Sequence, residues 1–251
     1  MSQLQQKDRS YVANTYARFP VEIVKGKGSL CYDGDGKRYI DMGSGIGVTG
    51  FGIADDAWIA AVTDQLSRVQ HMSNLYYTEP CAHLAQMLCE RTGMKKVFFS
   101  NSGAEANECA IKVARKYSAQ KKGDEFYTII TLKNSFHGRT LTTLSATGQD
   151  VFHQFFFPFT EGFRYAAAND LASLEAVAGD DVCAVMVELV QGEGGVLPLD
   201  YEYVQALKQI CEEKDWLLLT DEVQTGVGRT GKLFAAQPLH HREIELFLNT
   251  G

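Results

Sequence analysis

Short, uninterrupted apolar runs constrain the fold of this chain more than any other feature of its sequence. Strands that are apolar on both faces are typical of parallel sheets with helices on both sides. Between the runs lie stretches in which apolar residues recur at helical spacing, for example Ala106, Ala110 and Val113. We therefore expect an α/β fold with three layers around a mostly parallel sheet. The predicted strands read KVFFS, YTIITLK, CAVMVEL and WLLLTD.

The first part of the chain has a different pattern. SLCYDGDGKRYIDM predicts two short strands around an Asp-Gly turn. DDAWIAAVTDQLSRV then predicts an amphipathic helix that begins near Asp55 or Asp56. We expect a small β-containing segment over residues 1–55 and a larger domain over residues 56–251.

Composition excludes several classes of function. Of the 251 residues, 45% are hydrophobic and 22% are charged, as in ordinary globular proteins. The net charge of -7 and the lack of a basic run argue against a nucleic-acid partner. The sequence shows neither a signal peptide nor a membrane-spanning stretch. Its six cysteines form no CxxC pair, so we expect a cytoplasmic protein with reduced thiols.

Polar or glycine-rich loops follow all four predicted strands of the sheet. They cover residues 100–103, 134–139 and 188–193, and the fourth begins at Asp221. Because the carboxyl ends of parallel strands share one edge, and ligands bind there, we expect these loops to form a site.

The loop residues suggest the kind of ligand. SNSGAEANE fits a capping box with Ser102 and Glu105, which by itself predicts only a well-capped helix. Gly103, however, lets a ligand approach the free N–H groups of a helix start, which attract phosphate.

The remaining loops add an aromatic ring and charges. NSFHGRT contains Phe136 and Arg139, which form either an ordinary turn or an aromatic cover with a guanidinium fork for a carboxylate. Asp221 follows a buried strand, and a buried carboxylate requires a cation as partner. A planar cofactor with a phosphate and a protonated ring nitrogen would satisfy all of these groups. Pyridoxal phosphate has these features.

Three other motifs are interpreted as structural. GIGVTG at residues 45–50 matches a dinucleotide fingerprint, but no helix opens within it, so we expect a loop. DGDGKRYID lacks the spacing of a calcium loop and predicts a hairpin turn. His240 and His241 are adjacent rather than four apart, so we expect them to be solvated. No metal site is expected.

Several long motifs together carry a family resemblance. The chain resembles the class III pyridoxal-phosphate-dependent aminotransferases of fold type I, and most closely the acetylornithine aminotransferase group. The motifs that carry the resemblance are SNLYYTEP, FFSNSGAEANECAIKVARKY, NSFHGRTLTTLSATGQ, ELVQGEGGV and LLLTDEVQTGVGRTGKLFA.

The resemblance implies a role for ten residues. Ser102, Gly103 and Ala104 would hold the cofactor phosphate, Phe136 and Val223 would cover the two ring faces, Asp221 would pair with the ring nitrogen, and Gln224 would bond the ring hydroxyl. Arg139 would bind the substrate α-carboxylate, Glu193 would act as a switch that pairs with a second arginine, and Tyr16 would lie near the substrate carboxylate.

The implied activity is transfer of an amino group from N-acetylornithine, or a similar ω-amino acid, to 2-oxoglutarate. Arginine biosynthesis, small-molecule substrates and a homodimer follow from the resemblance. Transamination of 4-aminobutyrate, ornithine or succinylornithine is an alternative.

One departure from the family concerns catalysis. The family's Schiff-base lysine lies beyond the DEVQ motif in an AKGLGGG-like segment, whereas the last lysine of this chain is Lys232. The family pattern stops after GKLFAAQ, and the family's C-terminal domain has no counterpart. We therefore expect a truncated, incomplete large domain without a catalytic lysine. An inactive remnant is the second alternative.

Overall fold

A computed structural model gives the structure of residues 1–236. These residues divide into two compact units, Met1–Tyr76 and a second unit that begins at Tyr77. This boundary lies later in the chain than the predicted domain boundary after residue 55, and the predicted domains remain a proposal. The predictions for His240, His241 and the C-terminal tail fall outside the described residues.

The first unit contains a three-stranded antiparallel sheet of order β1-β2-β3. The pairing of β2 with β3 confirms the two strands predicted around the Asp-Gly turn. Within the turn, the Asp33 carboxylate accepts hydrogen bonds from the backbone N–H groups of Asp35 and Lys37. Asp55 caps the predicted helix by accepting from Trp58 N at 2.8 Å. The elements are α1 (Gln3–Tyr11), β1 (Ile23–Lys27), β2 (Leu30–Asp33), β3 (Arg38–Ile40), α2 (Ser44–Gly47) and α3 (Asp56–Arg68).

The GIGVTG stretch was predicted as a loop and overlaps one short helical turn, α2. Gly45 and Ile46 in this turn have positive φ angles of 63° and 61°. The next helix, α3, begins only at Asp56. The stretch therefore lacks the long helix on which a dinucleotide pyrophosphate would rest.

The second unit contains a four-stranded sheet in which every pair is parallel. Its strands lie in the order β5 (Phe163–Ala166), β4 (Thr128–Leu132), β6 (Val182–Val187) and β9 (Leu217–Thr220). This confirms the predicted α/β fold with a parallel sheet. The elements are α4 (Glu79–Thr92), α5 (Gly103–Lys121), β4 (Thr128–Leu132), α6 (Leu141–Ala146), a 3-10 turn (Asp150–Phe152), β5 (Phe163–Ala166), α7 (Leu171–Val177), β6 (Val182–Val187), β7 (Val190–Gln191), β8 (Leu197–Pro198), α8 (Tyr201–Glu213) and β9 (Leu217–Thr220).

Side chains on opposite faces of the sheet enter two separate cores. On one face, Ile130, Val185 and Leu218 belong to a cluster with residues of α7 and α8. On the other face, Ile129 and Met186 belong to a cluster with the alanines of α5. Helices therefore cover both faces, as the apolar runs required.

The predicted strand KVFFS is wrong. Residues 96–100 are not in a strand, and Phe98 and Phe99 are 66% and 40% exposed. An apolar run becomes a strand only where a neighbour pairs with its backbone, and no described strand does so here. The edge of the sheet beside β4 is occupied instead by β5, whose short sequence FRYA gives little signal. No helix within residues 1–236 is long and apolar enough to cross a membrane.

We expect Leu132→Ala to lower the free energy of unfolding by about 2–5 kcal/mol, because Leu132 is fully buried in the core and its loss leaves a cavity. The same truncation at Leu141, which is 56% exposed, should change it by less than about 0.5 kcal/mol. Urea denaturation of both variants measures the difference, and equal effects would contradict the burial argument.

Candidate functional site

The loops that follow β4, β6 and β9 meet the start of α5 around one cavity. The cavity has a volume of about 300 Å³. Its position beyond the carboxyl ends of parallel strands is the usual ligand position in such sheets. The cavity is lined by Gly103, Ala104, Asn107, Phe136, His137, Gly138, Arg139, Glu188, Asp221, Val223 and Gln224.

Asp221 lies at the base of the cavity and is only 4% exposed. Its backbone N–H donates to Val187 O at 2.8 Å, which continues the ladder between β6 and β9 by one residue. Its Oδ2 accepts from Asn107 Nδ2 and bonds His137 Nδ1, both at 2.8 Å. Its Oδ1 accepts from Val223 N at 3.0 Å. The carboxylate is thus fixed by three separate segments of the chain.

His137 is the histidine that bonds Asp221 within the chain. Its ring is completely buried, which favours the neutral imidazole, but the hydrogen bond and charge of Asp221 prevail and raise the pKa of His137. The other ring nitrogen, Nε2, is buried and has no hydrogen-bond partner within residues 1–236. Asn107 Oδ1 is likewise buried without a partner there. Unpaired buried polar atoms are costly, so their retention in a cavity wall is typical of a functional site.

The start of α5 presents backbone donors to the cavity. Ser102 Oγ accepts from Glu105 N at 3.2 Å, as the predicted capping box requires. The reciprocal bond differs from the prediction, because Glu105 Oε2 accepts from Asn101 N at 2.6 Å and not from Ser102 N. The first N–H groups of a helix have no acceptor within it, so those of Gly103 and Ala104 remain available to an anion.

Gly103 is required by close packing. A Cβ atom there would come within 2.9 Å of Val223 Cγ2. Gly138, with a φ of 132°, is similarly close to Ala104, where a Cβ atom would lie 2.9 Å from the Ala104 Cβ. The two glycines therefore let the start of α5 and the loops after β4 and β9 approach one another.

Phe136 and Arg139 form the aromatic and cationic part of the wall. The rings of Phe136 and Phe152 meet edge to face with centroids 5.7 Å apart. The Arg139 guanidinium lies 5.9 Å from the Phe136 centroid and 5.4 Å from that of Phe152. No ion pair within residues 1–236 includes Arg139, so its fork is free to bind a carboxylate.

Glu188 contributes a second buried carboxylate. It follows β6 directly, is 4% exposed, and its Oε2 accepts from Phe136 N at 2.9 Å. Burial raises the pKa of Glu188 to about 7, although the charge of His137 opposes this rise.

Most of the predicted residues line the cavity, and Ser102, Glu193 and Tyr16 are not among its lining residues. Ser102 adjoins the wall as the cap of α5. Glu193 is exposed, and its Oε2 accepts from Gln149 Nε2 at 2.5 Å. Tyr16 belongs to the first unit and is 67% exposed. The seven predicted residues that line the cavity are Gly103, Ala104, Phe136, Arg139, Asp221, Val223 and Gln224.

Four further residues of the wall were assigned no role from the sequence: Asn107, His137, Gly138 and Glu188. Asn107 had one usable signal, since it lies four residues after Gly103 and thus on the same face of α5. His137 and Glu188 stand in the predicted loops, but their hydrogen bonds connect distant segments. No group of His, Cys, Asp and Glu in the described chain is arranged to hold a metal ion.

Comparisons with known proteins agree on one family. A family model described as aminotransferase class-III matches residues 11–244. An acetylornithine aminotransferase from Haemophilus ducreyi is 56% identical over 94% of this chain and 60% of its own length. A succinylornithine transaminase from Salmonella paratyphi A is 47% identical over 90% of this chain and 55% of its own length.

A solved structure extends the similarity to the fold. The ornithine aminotransferase from Toxoplasma gondii, in which PLP partly occupies the active site, superposes with a TM-score of 0.87. It is 34% identical, and the match covers 93% of this chain and 56% of that one. The chain therefore spans between 55% and 60% of the length of these three proteins.

We expect the free energy of unfolding of the wild-type chain to fall, in comparison with that of Glu188→Gln, as the pH rises from about 4.5 to about 7. The raised pKa means that the folded chain keeps a proton which the unfolded chain has released, so unfolding becomes easier with pH in this window. The total decrease should be roughly 3 kcal/mol, with no further change above the folded-state pKa.

Urea denaturation across this pH range measures the effect. Glu175→Gln is the matched control, because Glu175 is exposed on α7. A difference between wild type and Glu188→Gln that stays constant with pH would contradict the assignment.

Proposed function

The chain belongs to the class-III aminotransferases, and we propose that its cavity binds pyridoxal phosphate for transfer of an amino group from N-acetylornithine, or a similar ω-amino acid, to 2-oxoglutarate. Aminotransferases of this class depend on pyridoxal phosphate. The observation that carries the proposal is the buried Asp221 carboxylate in the same cavity as the free start of α5.

The residues present fit this cofactor in charge and shape. The backbone N–H groups of Gly103 and Ala104, with the Ser102 hydroxyl, would hold the phosphate. Phe136 and Val223 would cover the ring faces, and Gln224 would bond the ring hydroxyl. Asp221 Oδ2 already has two donors, Asn107 and His137, whereas Oδ1 has one and can accept from a ring N–H.

When bound, pyridoxal phosphate supplies an electron sink that lets a substrate lose a proton next to its amino group. Asp221 would hold a proton at the ring nitrogen, because an adjacent carboxylate favours the charged ring. Asn107 and His137 would hold Asp221 in position. Arg139 would bind the substrate α-carboxylate. By the family pattern, Glu193 would be the switch that pairs with a second arginine, and Tyr16 would lie near the substrate carboxylate.

No lysine is among the described residues that line the cavity. We therefore propose that residues 1–236 bind the cofactor without a covalent bond. A lysine amine would have to reach the cavity from outside these residues before transamination could occur. The alternative of an inactive chain that retains only weak cofactor binding rests on the same observation.

The choice of substrate is supported by the relatives. Acetylornithine is supported by the 56% identical acetylornithine aminotransferase, and arginine biosynthesis is proposed together with that substrate. Succinylornithine is the second candidate, because a transaminase of that specificity is 47% identical. The proposed cytoplasmic location is supported by the six cysteines, all of which are free thiols. The homodimer is proposed from the family alone.

We expect the chain to bind pyridoxal phosphate saturably, and we expect Asp221→Ala to weaken this binding at least tenfold, since a charge-assisted hydrogen bond contributes about 1.5–3 kcal/mol. Asp215→Ala, which removes an exposed aspartate, is the control. Absorbance titration gives the affinities, and circular dichroism checks that each variant folds. Tight binding by Asp221→Ala would remove Asp221 from this role.

Borohydride reduction of the same samples, followed by peptide mapping, tests the absence of a covalent bond. We expect no lysine to be labelled stoichiometrically. Labelling of one lysine together with turnover of N-acetylornithine would refute the proposed noncovalent mode. In a form of the protein that carries the family's lysine segment, Asp221→Ala should abolish transamination.

We expect Arg139→Ala, in that lysine-containing form, to lower kcat/KM for amino-acid and oxo-acid substrates by a factor that corresponds to roughly 1.5–3 kcal/mol, because a charge-assisted hydrogen bond to the α-carboxylate is lost. Arg139→Lys keeps the charge without the planar fork and should recover only part of the loss. Steady-state kinetics with substrates that have or lack the α-carboxylate measure this. Unchanged discrimination between them would place the carboxylate elsewhere.

A further inference from the structure

The Glu188 carboxylate connects two loops of the cavity wall. It stands at the end of β6, and its Oε2 accepts from the backbone N–H of Phe136 at 2.9 Å. The backbone N–H of Gly192 also donates to it. The side chain thus ties the loop after β4 to the loop after β7. These two loops follow strands of different sheets.

Glu188 achieves this without a salt bridge. None of the ion pairs within residues 1–236 involves it, and it is 4% exposed. A buried carboxylate without a cation in contact is costly, and a glutamine of the same size would avoid that cost. The acid provides one thing that the amide does not, namely a hydrogen bond to Phe136 whose strength depends on ionisation.

The Phe136 ring has contacts of its own besides the hydrogen bond of its backbone. The ring meets the Phe152 ring edge to face, and the Arg139 guanidinium lies 5.9 Å from its centroid. On its inner side it faces the cavity. The backbone is fixed on both sides of the residue, because Ser135 N donates to Leu132 O and His137 N donates to Thr147 Oγ1. Glu188 binds the N–H between these two.

We propose that Glu188 is a positioning residue that holds the Phe136 ring in place for the cofactor, and that this hold tightens when Glu188 is ionised. The role rests on the proposed function, because it assigns Phe136 to the cofactor ring. Glu188 itself need not touch the cofactor.

The charges around Glu188 place its ionisation close to neutral pH. Burial raises its pKa, the charge of His137 in the loop after β4 lowers it, and the charge of Asp221 after β9 raises it, with a result of about 7. Arg139 is the other charged residue of the cavity wall. The hold on Phe136 should therefore be strong above neutral pH and weak below it.

The first test needs no cofactor and no activity. The amide proton shift of Phe136, followed by NMR, should titrate near neutral pH in the wild-type chain and in the control Glu175→Gln. In Glu188→Gln, which keeps an acceptor but cannot ionise, the shift should stay flat. A flat wild-type titration, or one that persists in Glu188→Gln, would overturn the proposal.

The second test measures pyridoxal phosphate affinity by absorbance below and above neutral pH. Above it, Glu188→Gln should bind about fivefold more weakly than wild type, which corresponds to about 1 kcal/mol. Below it, the two should agree, because wild-type Glu188 is then neutral. Equal affinities at both pH values would reject the role of Glu188 while leaving the proposed function intact. Failure of the wild-type chain to bind at all would reject the proposed function and this role with it.

Discussion

The hydrogen bonds to the Asp221 carboxylate determine how the rest of the site is arranged. A carboxylate that is 4% exposed is stable only if donors surround it. The donors come from Asn107 on α5, His137 after β4 and Val223 after β9. A shift of any one of these segments would remove a hydrogen-bond donor from the buried carboxylate. The cavity is consequently defined by an electrostatic requirement as well as by packing.

The parallel sheet meets this requirement by geometry. Thr220 pairs with Val187, and the next residue, Asp221, still donates its N–H to Val187 O. Asp221 therefore lies at the last hydrogen bond of the ladder, at the edge of the sheet. The loop after the neighbouring strand β6 begins at the same edge. Since β4 runs parallel to β6, its following loop brings His137 to the same edge. Crossover helices on both faces allow three successive strands to end in this way.

The sequence predicted those features that depend on local pattern. Continuous apolar runs located β4, β6 and β9, and the polar residue after the last of them identified Asp221. The run at residues 96–100 has the same local pattern but does not form a strand, because pairing requires a neighbour that the pattern does not specify. Asn107, His137 and Glu188 were missed for a related reason. Their importance comes from bonds between residues that are 114, 84 and 52 positions apart.

The charges of the cavity wall are not evenly distributed, and this restricts the ligands that it can accept. Free backbone N–H groups at the start of α5 and the Arg139 guanidinium attract anions. Asp221 and Glu188 are two buried carboxylates. His137 is the histidine of the wall that interacts electrostatically with both of them. When Glu188 is ionised, the two carboxylates carry more negative charge than even a protonated His137 can balance, which favours a cation beside Asp221. A ligand with an anionic group and a protonated ring nitrogen matches both kinds of charge in the wall. The buried charges that would meet such a ligand are also the groups whose hydrogen bonds hold the three loops together.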